Sequence, residues 1–156
     1  MMLQEILRHK GVVVHTIRPD ASLDDVAQTL VRHNCGSLIV TESDASAPML
    51  GIITERDVLR ACASRRGLLT ELHVADFMSR NVRCASPSDS VEDTMGLMTE
   101  LRIRHLPVVE EGRLSGIVSI GDIVKAQHDH LTMENHYLKT YIHGDEDSAL
   151  MTVRPR

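Results

Sequence analysis

Aromatic residues are nearly missing from this chain of 156 residues: it has no Trp, one Phe (Phe77) and two Tyr (Tyr137, Tyr141). A core without large rings must be filled by Val, Ile, Leu and the eight Met, and aliphatic, β-branched interiors suit layers of helix and strand. Blocks of Lys or Arg are also missing and the net charge is −5, which excludes a basic footprint for nucleic acid. No apolar run reaches the roughly 18 residues that a membrane-spanning helix needs. Residues 1–10 mix charge with apolar side chains and lack a signal-peptide core. Neither nucleic acid nor membrane is expected as a partner, and the expected compartment is the cytoplasm. Cys35, Cys62 and Cys84 are odd in number, far apart and form no C-x-x-C, so buried thiols are expected and not a disulfide framework or zinc knuckle.

What the chain does have is a repeat. Gly51-Ile52-Ile53-Thr54-Glu55-Arg56-Asp57 and Gly116-Ile117-Val118-Ser119-Ile120-Gly121-Asp122 each run from a β-branched apolar segment through a hydroxyl residue to an aspartate three places on. This is a strand feeding a helix, with the hydroxyl at the N-cap and the acid at the third helical position. Two readings follow. In one, hydroxyl and carboxylate form a capping box and nothing more. In the other, the helix start with its free N–H groups also favours a phosphate, while the aspartate takes the two hydroxyls of a ribose.

The register of the repeat extends well beyond this corner. Pro87 follows Pro19 by 68 residues, as Val91 follows Leu23 and Val108 follows Val40; beyond the polar loop 41–48, Ser119 and Asp122 follow Thr54 and Asp57 by 65. Such self-similarity predicts two copies of one supersecondary unit. The expected divisions are an N-terminal helix in 1–11, a first repeat in 12–63, a connector in 64–80, a second repeat in 81–126, a C-terminal helix in 127–144 and a flexible tail in 145–156. Leu3, Ile6 and Leu7 share one face of the first helix, which Gly11 ends. A strand is expected over Val12–Ile17, a helix capped by Ser22, strands near 37–40 and 50–53, and a helix from Thr54. A short helix at 74–78 is expected to lead into the second copy. One copy has too few strands to bury its apolar sheet face alone. The predicted fold is therefore α/β (α+β): two β-α-β-β-α repeats packed face to face about a pseudo-two-fold axis, with both strand-to-helix corners in one cleft.

Arg104-His105-Leu106-Pro107-Val108-Val109 followed by Gly116 to Asp122 closely resembles the cystathionine-β-synthase (CBS) domain pattern, and Gly36-Ser37-Leu38-Ile39-Val40 with Gly51 to Asp57 resembles its first-copy counterpart. The likeness covers roughly residues 3–144 and is similar to small stand-alone bacterial proteins made of one tandem CBS pair. The resemblance implies a regulatory module and no catalytic residues. It implies an adenine nucleotide (AMP, ADP or ATP) or S-adenosylmethionine between the copies, no required cofactor, a homodimer and an unidentified regulated protein. Carried over by residue, Thr54 and Asp57 belong to one site and Ser119 and Asp122 to the other, each aspartate on the ribose. Arg104 and His105 match positions that present cations to phosphates, and their first-copy equivalents are Gly36 and Ser37. Thr16-Ile17 and Cys84-Ala85 would border the adenine. On this basis the second copy is the expected phosphate site.

Arg56 is either a phosphate ligand or a solvated surface residue, and His105 either titrates near neutrality or is a backbone-bonded core histidine. The nine histidines raise a metal site, but His128, His130 and His136 form no H-x-x-x-H pair, so none is expected. No Gly-x-Ser-x-Gly elbow is present, and Cys84 has no evident partner. Two functions stay open: a nucleotide sensor, with NAD(H) or S-adenosylmethionine as other ligands, and a ligand-independent assembly module.

Overall fold

The computed structural model describes residues 1–149, with side-chain surroundings through residue 142. The elements run α1 (Leu3–Lys10), β1 (Thr16–Ile17), α2 (Leu23–His33), β2 (Ser37–Val40), β3 (Gly51–Thr54), α3 (Glu55–Ser64), α4 (Val74–Phe77), α5 (Val91–Leu101), β4 (His105–Glu110), β5 (Arg113–Ser119) and α6 (Ile120–Ala149). β1 pairs parallel with β2, and β2 antiparallel with β3. β4 and β5 form an antiparallel pair with an irregularity between Val108 and Val109. Ala85 takes the place of β1 beside β4: its N–H donates to Pro107 O at 2.9 Å and its carbonyl accepts from Val109 at 2.8 Å. The strand expected from Val12 is shorter than predicted. Pairing with β2 begins only where Ile39 N–H reaches His15 O, and Val12 and Val13 stay exposed.

Helix starts follow their caps. Ser22 Oγ accepts from Asp25 N–H while the Asp25 carboxylate takes Ser22 N–H, and Ser90 accepts from Asp93 N–H in the same way. Asn34 and Arg102, equivalent positions, end α2 and α5 in the left-handed conformation.

Two cores form, and each borrows a helix from outside its repeat. Leu23, Val26, Leu30, Leu38, Val40 and Ile53 pack with Val74 and Met78 of the connector. Val91, Met98, Leu106, Val108, Val118 and Ile123 pack with Leu3, Ile6 and Leu7 of α1. The connector helix α4, expected to lead into the second copy, thus belongs to the first core, and α1 belongs to the second. Backbone bonds repeat the exchange: Val74 and Ala75 N–H donate to Ala21 and Pro19, and Leu3 and Gln4 N–H to Asp89 and Pro87. The equivalence has one interruption. Met78 is followed directly by Ser79, whereas Arg8, His9 and Lys10 stand between the matching Leu7 and Gly11. α1 is accordingly longer than α4 at its C-terminal end.

No break separates the last helix of the second repeat from the C-terminal helix expected at 127–144; α6 is continuous. Residues 145–149 of the expected tail continue α6, and 150–156 lie outside the described residues. The buried-thiol expectation is also corrected. Cys35 is half-buried, but Cys62 faces outward next to buried Ala61, and Cys84 is exposed just ahead of buried Ala85.

Candidate functional site

Face-to-face packing produces two clefts, each built from both repeats. The first, about 530 Å³, sets Thr54 and Asp57 at the start of α3 against Arg102, Arg104 and His105 of the second repeat, with Ser79 of the connector and Asn81 to Arg83 along one side. The second, about 390 Å³, sets Ser119 and Asp122 at the start of α6 against residues 33–37 of the first repeat, with Lys10 and His15 beside them. Gly36 and His105 line both clefts where they meet. They approach closely: a Cβ on Gly36 would lie 2.7 Å from His105 Cε1, so the imidazole would have to shift to admit one.

This crosswise construction corrects the expected grouping. Arg104 does not join Ser119 and Asp122; it lines the first cleft, with Nη2 3.6 Å from Glu55 Oε2. The residues ahead of β4 are carried onto the opposite repeat's helix start, as Ser37 is carried to the second cleft. Thr16 and Ile17 are taken up in β1, Ala85 is buried against β4, and Cys84 lies next to the first cleft's lining without joining it. The stretches just before them, Val13 to His15 and Asn81 to Arg83, form the walls instead.

Both aspartates serve as caps. Asp57 is buried, and its Oδ2 accepts from Thr54 N–H at 2.9 Å and Thr54 Oγ1 at 3.0 Å. Among the described residues its Oδ1 has only a longer contact, 3.7 Å to Arg60 Nη1. Asp122 Oδ2 accepts from Ser119 N–H at 2.7 Å and Ser119 Oγ at 2.8 Å, and is also ion-paired with Lys10. Burial alone would raise the Asp122 pKa. The Lys10 ammonium and the two Ser119 donors together outweigh it and hold the carboxyl below its ordinary value.

The first cleft gathers arginines. Arg56, Arg60, Arg83, Arg102 and Arg104 line it with only Glu55 and Asp57 as acids. Arg56 is drawn across the cleft, its Nη1 donating to Arg102 O at 3.2 Å. The second cleft gathers histidines. His15 and His33 stack with centroids 3.9 Å apart, and His15 is held below its ordinary pKa by burial and then by His33. His105 is lowered too, by burial first and Arg104 second. Arg60, Arg83, Arg102, Lys10, His15 and His33 were not picked out by sequence reasoning. The 68-residue register was the available signal, since it lays Arg83 over His15 and Arg102 over Asn34. Among the described residues no group of three or more metal-ligating side chains comes together, and no helix is long and apolar enough to cross a membrane.

The pattern described as CBS domain matches residues 5–64 and 74–129, and the chain belongs to the CBS-domain family. It is 36% identical over 128 residues to a mitochondrial CBS domain-containing protein of Arabidopsis thaliana, covering 80% of this chain and 62% of the plant protein. The matched segment is thus less than two-thirds of that relative. The crystal structure of a CBS-domain containing protein from Agrobacterium tumefaciens superposes with a TM-score of 0.76 at 39% identity, over 81% of this chain and 99% of that one. A hexameric CBS-CP12 protein from bloom-forming cyanobacteria gives a TM-score of 0.68 at 29% identity, over 80% and 69%. The protein is a tandem CBS pair of mixed helix and strand, a regulatory type of module.

Proposed function

We propose that this CBS pair is a non-enzymatic sensor that binds an adenosine nucleotide, of AMP or ATP type, in the first cleft. One observation carries the reading: a buried aspartate, Asp57, opens onto the same cleft as five arginines. A vicinal diol can bridge a carboxylate that still has acceptor capacity, and Asp57 Oδ1 has it. Phosphate groups suit guanidinium forks and the N-terminus of α3. Arg83 and Arg102 have no carboxylate within ion-pair distance among the described residues, so a polyphosphate would supply their counter-charge. The base would lie along Asn81 to Arg83, which line the cleft just ahead of Cys84 and Ala85.

A thermal-shift panel of AMP, ADP, ATP, NADH and S-adenosylmethionine tests this. A ligand at a hundredfold excess over its Kd adds about 2.7 kcal/mol to stability. The shift is expected with an adenine nucleotide and is lost in Asp57→Asn. No shift with any member rejects the sensor.

Assembly is the second reading, favoured by apolar side chains exposed at equivalent positions. Leu59 on α3 is 69% exposed and Val124 on α6 55%, with Val31 on α2 at 81%. The expected homodimer would cover these helix faces, and the cyanobacterial neighbour is itself hexameric. Light scattering after size exclusion would show a dimer that Leu59→Lys with Val124→Lys turns into a monomer; a wild-type monomer at micromolar concentration removes the reading.

A further inference from the structure

The two clefts differ at the group that would take the ribose. Asp57 and Asp122 occupy equivalent positions and make the same cap bonds. Asp122 alone has an ammonium on it, because the three residues by which α1 outlasts α4 bring Lys10 to the mouth of the second cleft. The ammonium is fastened on its other side as well. Lys10 Nζ donates to Ile117 O at 3.1 Å, and the equivalent carbonyl in the first repeat, Ile52 O, is bonded by a backbone N–H, that of Ser79, at 2.9 Å. Lys10 therefore supplies a bond that the fold provides from backbone in the other repeat, and holds Asp122 Oδ2 with what remains. That oxygen already accepts twice from Ser119, so the lysine saturates it; Oδ1 alone is left to a diol, which would have to reach it in a cleft whose lining the ammonium joins. The Lys10 and Asp122 side chains are 34% and 23% exposed, so water competes for the pair only in part.

We infer that Lys10 closes the second cleft to ribose, so that each chain binds one nucleotide, at Asp57. The inference rests on the nucleotide reading of the clefts, and Lys10 acts as the residue that sets which of two similar sites is open. Equilibrium dialysis with labelled ATP and, separately, labelled AMP measures it directly on the full chain. Wild type is expected to bind one mole per mole of chain. Lys10→Met is expected to bind two, and Lys10→Met with Asp122→Asn one. Wild type binding two, with one lost in Asp122→Asn, overturns the inference, as does a folded Lys10→Met that stays at one. If wild type binds none and Lys10→Met binds one, the first-cleft reading and the count of one per chain fail, while the closure of the second cleft by Lys10 stands. No binding to either chain rejects both. Should Lys10→Met not fold by circular dichroism, Lys10→Gln, which keeps a donor for Ile117 O, is read in its place.

Discussion

The carbonyl oxygen of Ser79 lies over Gly51 so closely that a Cβ on the glycine would stand 2.5 Å from it. Ser79 also exchanges two backbone bonds with Ile52, fixing the connector to the edge of β3. The matching glycine, Gly116, faces the tip of the Leu7 side chain at 2.7 Å. A side-chain tip can rotate away, whereas a paired backbone cannot. Gly51→Ala is therefore expected to destabilise the protein by about 1–3 kcal/mol, as overpacking does, and Gly116→Ala by less. Urea midpoints of the two variants check the order; equal losses would contradict it.

The exchange of helices makes a prediction that sequence position alone would not. Leu3 is fully buried, but in the core of the second repeat. Leu3→Ala should cost about 2–5 kcal/mol. Amide exchange should quicken at Leu106 and Val118, far along the chain, more than at the nearer Leu38 and Ile53. Faster exchange confined to the first repeat would show that α1 is not part of the second core.

His105 carries the pH dependence at the join of the clefts. Burial, and then Arg104, hold its pKa below the ordinary 6.5. For a histidine lowered on folding, the unfolded chain binds the proton first. Its contribution to stability is complete above 6.5 and declines as pH falls through that value toward the native pKa. Burial and then His33 move His15 in the same direction. The denaturation midpoint should drop between pH 7 and pH 5, with a shallower drop in His105→Gln. Identical slopes for variant and wild type would assign the effect elsewhere.

The arginines of the first cleft should separate phosphate recognition from base recognition. A hydrogen bond to a charged group contributes about 1.5–3 kcal/mol, which is about tenfold or more in affinity. Arg83→Ala and Arg102→Ala are each expected to weaken ATP by at least about that factor and to leave adenosine unchanged. Titration calorimetry with both ligands reads the difference, and equal weakening of both would place these side chains on the nucleoside.

The strand-to-helix corners, their caps and the doubling of the unit were legible because each is a local pattern. Ser22 with Asp25, Thr54 with Asp57 and Ser119 with Asp122 lie within one helical turn, where residue type and spacing decide the bonds. The grouping of Arg104 was not legible, because it depends on which repeat's helix start lies opposite β4. Val12 and Val13 look like strand residues, yet strands are made by partners and β2 does not extend that far. Lys10 reads as an ordinary last-turn cation of α1 until the second repeat is laid beside it.

During synthesis the leucine face of α1 leaves the ribosome long before β5, the strand it comes to cover, and must wait uncovered meanwhile. The first repeat in turn cannot close until Val74 and Met78 have emerged. A cut within the connector ahead of α4 would therefore not release two working halves: each fragment would retain the helix that its counterpart needs, and the pieces would be whole only when bound to each other.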